Sequence, residues 1–371
     1  MSRLNINNLT NENEDGSPRI SGISTFSSPH YFVPPSGTTA ERPSDPGEGM
    51  IRFNTDSGHL EYYTGEFWDD VIVANNELGV NGALGHRGLF GGGQTPTAVN
   101  TIDYITISTL SNAQDFGDIT VSRHTPSASS SSTRGVFGGG SVTGNTIDYI
   151  TIASTGNAVD FGDLTVARND LAGLSSQTRL IFAGGYSVTN VIDYITIAST
   201  GNAVDFGDLI AATQSAGSCA SSTRGLIGGG AAPGITNTIN YITISTIGNA
   251  QDFGDLIQAR GSLNCSLSNS TRGLWAGGYA PGDVNTIDYV TIASIGNAQD
   301  FGDLTQVISQ SSGAASSTRG VFGGGVGGSP RGVQNTIDYV TILSTGNATD
   351  FGDLTQARNG LAACSNGHGG L

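Results

Sequence analysis

Carboxylates recur through this chain at fixed places. Asp-Phe-Gly-Asp is written six times, beginning at Asp115, Asp160, Asp205, Asp252, Asp300 and Asp350. An Ile-Asp-Tyr step precedes each at Asp103, Asp148, Asp193, Asp288 and Asp338, with Asn240 in the fourth copy. Carboxylates so placed could hold a cation or act as a base. The spacing argues for a structural role instead. The Ile-Asp-Tyr position stands 12 residues before the tetrad in all six copies. A group needed as a base or a metal anion would not survive replacement by Asn in its own copy, whereas one that only accepts a hydrogen bond would. This Asp is therefore expected to bind backbone amides or the repeat Arg. The first Asp of the tetrad never varies, and a pairing with the repeat Arg is expected for it.

Other candidate chemistry is weaker still. Asp-Phe-Gly also occurs at the Mg²⁺ site of protein kinases, but here it is copied six times and no catalytic-loop motif accompanies it. The Gly runs at Gly91, Gly138, Gly228 and Gly323 lack the GxxxxGK[ST] pattern of a phosphate cradle. Paired Gly there suits close approach of neighbouring strands. His30, His59, His86, His124 and His368 show no metal-ligand spacing, and no Ser or Cys stands in a nucleophile elbow. Neither a metal, a cofactor nor a catalytic set is expected. Cys219, Cys265 and Cys364 each fall 10 or 11 residues after a tetrad, which reads as a small buried site in three copies.

The period identifies the architecture. Tetrads recur at intervals of 45 to 50 residues, and an Arg ahead of a Gly-rich run keeps the same beat at Arg87, Arg134, Arg179, Arg224, Arg272 and Arg319. All 15 basic residues are Arg, and every Glu lies at or before Glu77. The repeats thus lack two good formers of solvated helix and are rich in Ile, Val, Thr, Tyr and Phe, which suit pleated surfaces. Each copy reads as four short strands, the size of a propeller blade, with the smallest side chains in the first strand. The fold expected is all-β, a six-bladed β-propeller over residues 81–371 (repeats near 84–130, 131–175, 176–220, 221–267, 268–315 and 316–371). The tail from Leu361 matches a first strand, so it is expected to close the ring; Asn81-Gly-Ala-Leu competes for that place.

Length varies mainly between the Gly run and Ile-Asp-Tyr, where the linker has 6 to 11 residues. Insertions on one face of an array commonly mark its binding face. The candidates are Pro96, Tyr186, Pro233, Tyr279, Pro281, Asp283, Pro330 and Arg331. The net charge of −16 carries no basic cluster suited to phosphate backbones, so no nucleic-acid partner is expected. No stretch approaches the ~18–20 apolar residues of a membrane span.

Residues 1–48 are polar and broken by Pro18, Pro29, Pro34, Pro35, Pro43 and Pro46, an extended arm. Residues 49–80 read as a small β-meander: Ile51 and Phe53 alternate before a turn, Leu60 and Tyr62 after it, and Tyr63 and Trp68 flank a second. So short a meander cannot bury a self-sufficient core. These six residues are the candidate anchor to a larger assembly.

Two resemblances attach to these motifs. The paired Gly closing the second strand, the aromatic late in the fourth and the Ala-Arg step at Ala167-Arg168, Ala259-Arg260 and Ala357-Arg358 resemble the Kelch β-propeller repeat, with Phe116, Phe161, Phe206, Phe253, Phe301 and Phe351 where Kelch units carry Trp. Arg42-Pro-Ser-Asp-Pro-Gly-Glu-Gly-Met-Ile-Arg-Phe-Asn-Thr-Asp-Ser-Gly, with Glu61-Tyr-Tyr-Thr-Gly and Trp68, resembles a segment of bacteriophage tail fibres and other virion proteins. The repeats look like those of marine and cyanobacterial phages. The resemblance implies a non-enzymatic virion component, made in the host cytoplasm. Its N-terminal arm would attach to other tail proteins, and its propeller would bind a host surface glycan or receptor or a neighbouring virion protein. It is a possible homo-oligomer. The alternatives are a propeller enzyme acting on host polysaccharide and a purely architectural propeller.

Overall fold

The computed structural model describes residues 34–70, 86–141, 144–186, 189–231 and 233–371. They fall into two units, within Met1–Ala74 and Asn75–Leu371. The expected arm up to residue 33 lies outside the described residues, as do residues 81–84, the rival closing strand. The described residues are all-β apart from a short 3-10 turn at Thr39–Glu41. No helix among them is long and apolar enough to cross a membrane.

The larger unit contains six four-stranded antiparallel sheets. In the second sheet the strands are Ser127–Ser130, Arg134–Gly138, Thr146–Thr151 and Val159–Asp163. The third to sixth sheets repeat this order from first strands at Ala172–Ser175, Gly217–Ala220, Ser266–Ser268 and Ser312–Ala315. The first sheet is assembled from both ends of the unit: Ala362–Ser365 pairs with Arg87–Gly91, in the register Ala362↔Gly91 to Ser365↔Gly88. The tail therefore supplies the strand expected of it. The six first strands touch one another in succession, and the last touches the first.

Both faces of each sheet are covered, so the third strands show no simple in-and-out alternation. In Thr146–Thr151, Ile147, Asp148 and Ile150 are all buried. Six apolar clusters result, each shared by two consecutive sheets. The cluster joining the sixth and first sheets includes Phe90, Ile105, Val321 and Phe351. Phe161 packs edge-on against Tyr149, centroids 5.8 Å apart, and the same pair recurs in every sheet. Such pairs contribute about 0.5–1.5 kcal/mol beyond the area they bury.

The Asp-Phe-Gly-Asp tetrad is a β-bulge. Ile147 faces Gly162 while Asp148 faces Asp160, so Phe161 is the extra residue, turned into the core at 3% exposure. Gly162 has φ 147, and a Cβ there would stand 2.5 Å from the Gly201 carbonyl oxygen of the next sheet. The neighbouring Asp163 amide donates to Asn202 Oδ1 at 3.1 Å. This bond recurs at all six junctions, ending with Asp353 to Asn112. The paired Gly serves the same close approach: a Cβ on Gly91 would lie 2.5 Å from the Phe137 ring of the next sheet.

Cys219, Cys265 and Cys364 are buried free thiols in or beside first strands. Burial pushes the Cys265 and Cys364 thiols up to about 12, and raises Cys219 as well. Thiolate, the reactive form, is then scarce at ordinary pH. Iodoacetamide at pH 8 is expected to leave all three unmodified in the native protein and to label all three after unfolding in guanidinium. Mass-spectrometric detection of label on the native chain would contradict the packing.

The smaller unit is a sheet in the order Ser36–Gly37, Ile51–Asn54, His59–Tyr63 and Trp68–Asp70. Its polarity is the reverse of a usual sheet. Arg52, Asn54 and Glu61 are buried, while Ile51, Phe53 and Tyr62 are exposed. Glu61 accepts from Arg42 Nη2 at 2.6 Å and Asn54 Nδ2 at 3.1 Å, and Arg52 lies 3.4 Å away. The Arg42 hydrogen bond holds the Glu61 carboxyl below the usual carboxylate range.

Candidate functional site

The repeated carboxylates prove to be joints between sheets. Buried Asp148 accepts from Arg123 Nη2 at 2.8 Å, from the Thr120 hydroxyl at 2.6 Å and from the Thr120 amide at 3.2 Å. Arg123 and Thr120 follow the preceding sheet's tetrad. Equivalent pairs are Arg168–Asp193, Arg260–Asp288 and Arg358–Asp103, at 2.8, 2.8 and 3.0 Å, with both side chains fully buried. Burial lowers the pKa of each guanidinium, which the partner carboxylate opposes. The expected backbone amide is among the partners of the Ile-Asp-Tyr carboxylate, as the Thr120 amide is for Asp148, but the expected pairings with the repeat Arg are absent. The first tetrad Asp, as at Asp115, is exposed and forms no such pair. The repeat Arg instead stacks on the Tyr of its own sheet, as Arg179 does on Tyr194 at 4.3 Å, and donates to the next sheet, as Arg179 Nη1 does to the Ile244 carbonyl at 2.8 Å.

Two junctions depart from this pattern. Thr213 occupies the Arg position opposite Asn240, so both charges are gone. Ile308 occupies it opposite Asp338, whose carboxylate keeps the Thr305 amide and hydroxyl at 3.0 and 2.8 Å. Burial raises the Asp338 pKa.

The differences in length between copies collect at one end of each sheet, on the connections from second to third strands. Pro96, Tyr186, Pro233, Tyr279, Pro281, Pro330 and Arg331 are exposed there. Asp283 and Arg331 come together: Arg331 Nε lies 2.5 Å from Asp283 Oδ2, and the Ser309 hydroxyl donates to Oδ1 at 2.7 Å. The Arg331 hydrogen bond opposes the effect of burial and leaves the Asp283 pKa lowered. The sixth linker is more than a loop: Ile308–Ser309, Val326–Gly327 and Gly332–Val333 form a small sheet.

The connections from fourth strands to the next first strands reach this end too, and they form a feature that sequence reading missed. Thr125, Asp170, Ser215, Ser262, Gln310 and Gly360 have φ between 49 and 59. Main-chain hydrogen bonds link them in a closed circuit. The Thr125 amide donates to Gly360 O at 2.6 Å, Asp170 to Thr125 O at 3.1 Å and Ser215 to Asp170 O at 2.7 Å. Leu263, next to Ser262, donates to Ser215 O at 3.0 Å, Gln310 to Ser262 O at 3.2 Å and Gly360 to Gln310 O at 2.9 Å. One signal was present in the sequence: each of the six stands 7 residues after the last Asp of a tetrad. Beside the ring, His124 Nδ1 meets the Ser141 hydroxyl at 2.6 Å and Asn359 Nδ2 donates to Gln310 Oε1 at 2.8 Å. Burial raises the Asp170 pKa against the opposing pull of His124.

The residues just after the ring open a cavity of about 70 Å³ lined by the first strands of all six sheets. At its other end His368 Nε2 lies 2.8 Å from the Ser130 carbonyl, and the Gly369 amide donates to the Ser268 carbonyl at 2.8 Å. Desolvation pushes the His368 imidazole down from 6.5 to about 4. Above pH 6.5 both folded and unfolded chains carry it neutral and its contacts count fully. As pH falls from 6.5 toward 4 the unfolded chain protonates first, so stability is withdrawn, by roughly 3 kcal/mol at most. The difference in urea midpoint between pH 7 and pH 4.5 is expected to shrink in His368→Gln; an unchanged difference would remove His368 from that role.

In the smaller unit the six anchor candidates divide between two faces. Ile51 pairs with Tyr62 and Phe53 with Leu60, making one apolar face. Tyr63 and Trp68 lie on the other, rings 5.5 Å apart, with Arg42 and Arg52 each 6.0 Å from the Trp68 ring.

No known protein-family model matches the chain, and no curated protein matches it.

Proposed function

We propose that this chain is a binding component of a virus particle, a tail fibre or similar appendage, built as a meander anchor bearing a six-bladed, Kelch-like propeller. The six sheets are its blades, and the C-terminal strand fastens the ring by completing the first blade. Consecutive contacts among the first strands and six inter-sheet clusters support that arrangement. The exposed apolar face of Ile51, Phe53 and Tyr62 supports attachment through the meander to another particle protein or to a second copy of the chain.

One observation carries the functional reading. Five carboxylates at the Ile-Asp-Tyr position are committed to joints between sheets, while the variation in length gathers at a single end. Function then belongs to the varied end, and its role is to bind a host surface glycan or receptor, or a neighbouring particle protein, without catalysis. Mass spectrometry of purified particles should find the chain, and replacing residues 326–334 with a short Gly-Ser turn should reduce adsorption to host cells. Particles that lack the chain would refute the appendage; adsorption unchanged by the loop exchange would favour a purely architectural propeller.

A further inference from the structure

We propose that Asn366-Gly367, where the tail leaves the first sheet, is a self-modification site: the Gly367 amide attacks the Asn366 side chain, His86 acts as the base, and ammonia is released. The site lies at the closing strand and does not depend on what the varied end binds.

Its setting differs from that of every other copy. In the second to sixth sheets the first strand turns directly into the second, with a Thr just ahead of the repeat Arg at Thr133, Thr178, Thr223, Thr271 and Thr318. Across that turn Ser131 Oγ accepts the Arg134 amide at 3.0 Å, and Asn269 Oδ1 accepts the Arg272 amide at 2.8 Å. In the first sheet the two sides of the turn come from opposite ends of the unit. Asn366 takes the place of Ser131, and its Oδ1 accepts the Arg87 amide at 2.8 Å. His86 takes the place of Thr133. Gly367 follows Asn366 and has no side chain to shield its nitrogen.

Three groups meet there. The Gly367 amide donates to no group among the described residues, and Asn366 and Gly367 are half-buried, within reach of water. The His86 ring stands against Gly367, where a Cβ would lie 2.5 Å from His86 Nδ1. Both His86 nitrogens are buried, yet neither has a hydrogen-bond partner. Folded proteins rarely leave such atoms unpaired. An idle imidazole beside an undonated N–H suits general-base catalysis, whose hydrogen bonds often tighten only as reaction begins. The Arg87 amide already sits on Asn366 Oδ1, where negative charge develops as the nitrogen adds.

The step balances within the chain. The Gly367 nitrogen bonds to Asn366 Cγ and gives its proton to His86. The Cγ–Nδ2 bond breaks, and His86 passes the proton to Nδ2, which leaves as ammonia. Water then opens the cyclic imide at either carbonyl, leaving Asp or isoaspartate at 366. Isoaspartate adds a methylene to the main chain between the closing strand and the contacts of His368 and Gly369 with the Ser130 and Ser268 carbonyls.

Two other Asn residues are internal controls. Asn359-Gly360 is the same dipeptide, but Asn359 is 7% exposed and the Gly360 amide is tied to Gln310 O at 2.9 Å. Asn269 shares the place of Asn366 but is 3% exposed and precedes Ser270. Asn81-Gly82 lies outside the described residues.

The full chain should be held in warm neutral buffer, native or unfolded in guanidinium, then cut with trypsin and mapped by mass spectrometry. One tryptic peptide, 359–371, carries both Asn-Gly pairs. In the native chain conversion is expected at Asn366 and not at Asn359 or Asn269. It should run at least about tenfold faster than in the unfolded chain, which lacks the His86 contact. His86→Thr, matching the other five copies, should erase that native excess and leave the unfolded rate unchanged. The inference is overturned if unfolding speeds conversion at Asn366, if native Asn359 converts as fast, or if His86→Thr leaves the native rate as it was. Cleavage of the Asn366–Gly367 bond in place of deamidation would overturn it too, since the Asn366 side chain would then be the attacking group.

Discussion

Arg168→Thr is expected to cost the repeat unit about 3–5 kcal/mol, the usual consequence of leaving a buried carboxylate without its cation. Adding Asp193→Asn should restore much of that loss, although either change alone weakens the junction. The chain already contains the combination: Thr213 faces Asn240 where Arg168 faces Asp193. Asn240 Oδ1 still accepts the Ile210 amide at 3.2 Å, so the main-chain part of the joint survives without charge. The double variant is not silent, because Arg168 also donates to the Val191 and Phe182 carbonyls at 2.7 and 3.3 Å. A double-mutant cycle from urea unfolding should therefore show about 2–3 kcal/mol of coupling. Additive costs would mean that the carboxylate does not depend on the guanidinium.

The junction of the fifth and sixth sheets gives the same argument its pH dependence. Asp338 keeps its carboxylate opposite Ile308, and burial raises its pKa. The folded state thus prefers the protonated form, and charge at Asp338 withdraws stability as pH rises above the unfolded carboxyl's value. Asp338→Asn should accordingly compare best with the parent at neutral pH, and its relative advantage should fade on acidification.

Removal of residues 361–371 is expected to abolish cooperative folding of the larger unit, a loss comparable to the roughly 5–15 kcal/mol that holds a whole domain together. The deletion takes away Leu361, Ala362, Ala363 and Cys364, all buried, and with them the first strand of the first sheet. It also breaks the contact of that strand with Ser127–Ser130 and Ser312–Ala315 and exposes the paired edge of Arg87–Gly91. Ending the chain after Ser365 tests the specificity of the effect. That truncation removes only the Asn366, His368 and Gly369 contacts, so folding should survive with a smaller loss. Thermal unfolding and size-exclusion chromatography compare the two. A folded, monomeric product of the longer deletion would show that the closing strand is dispensable.

Much of this molecule could be read from spacing. The six units, their four strands, the small first strand and the match of the tail to a first strand all follow from periodicity and side-chain size, because a repeat must bury the same faces in every copy. Asn240 correctly marked its position as structural. The charged partner of that position was not legible: Arg123 lies in the connection between two sheets, 25 residues before Asp148 in a third strand, so their meeting depends on how that connection folds back on the sheet. The exposed first Asp of the tetrad was misjudged for the same reason, since the bulge turns Phe161, not its neighbouring acid, toward the core. Alternation marked Ile51, Phe53, Leu60 and Tyr62 as one face, but only the fold showed the buried side of that sheet to be the charged one.

Period, turn residues and β-formers are local properties of the chain, so the unit and its count are already written there. Tertiary structure alone decided what the repeated residues do. Fixed backbone geometry places Thr125, Asp170, Ser215, Ser262 and Gln310 in left-handed conformations around one circuit, although their types are ordinary for loops. Their conformation is set by six neighbouring connections at once, and no single stretch of sequence contains that constraint.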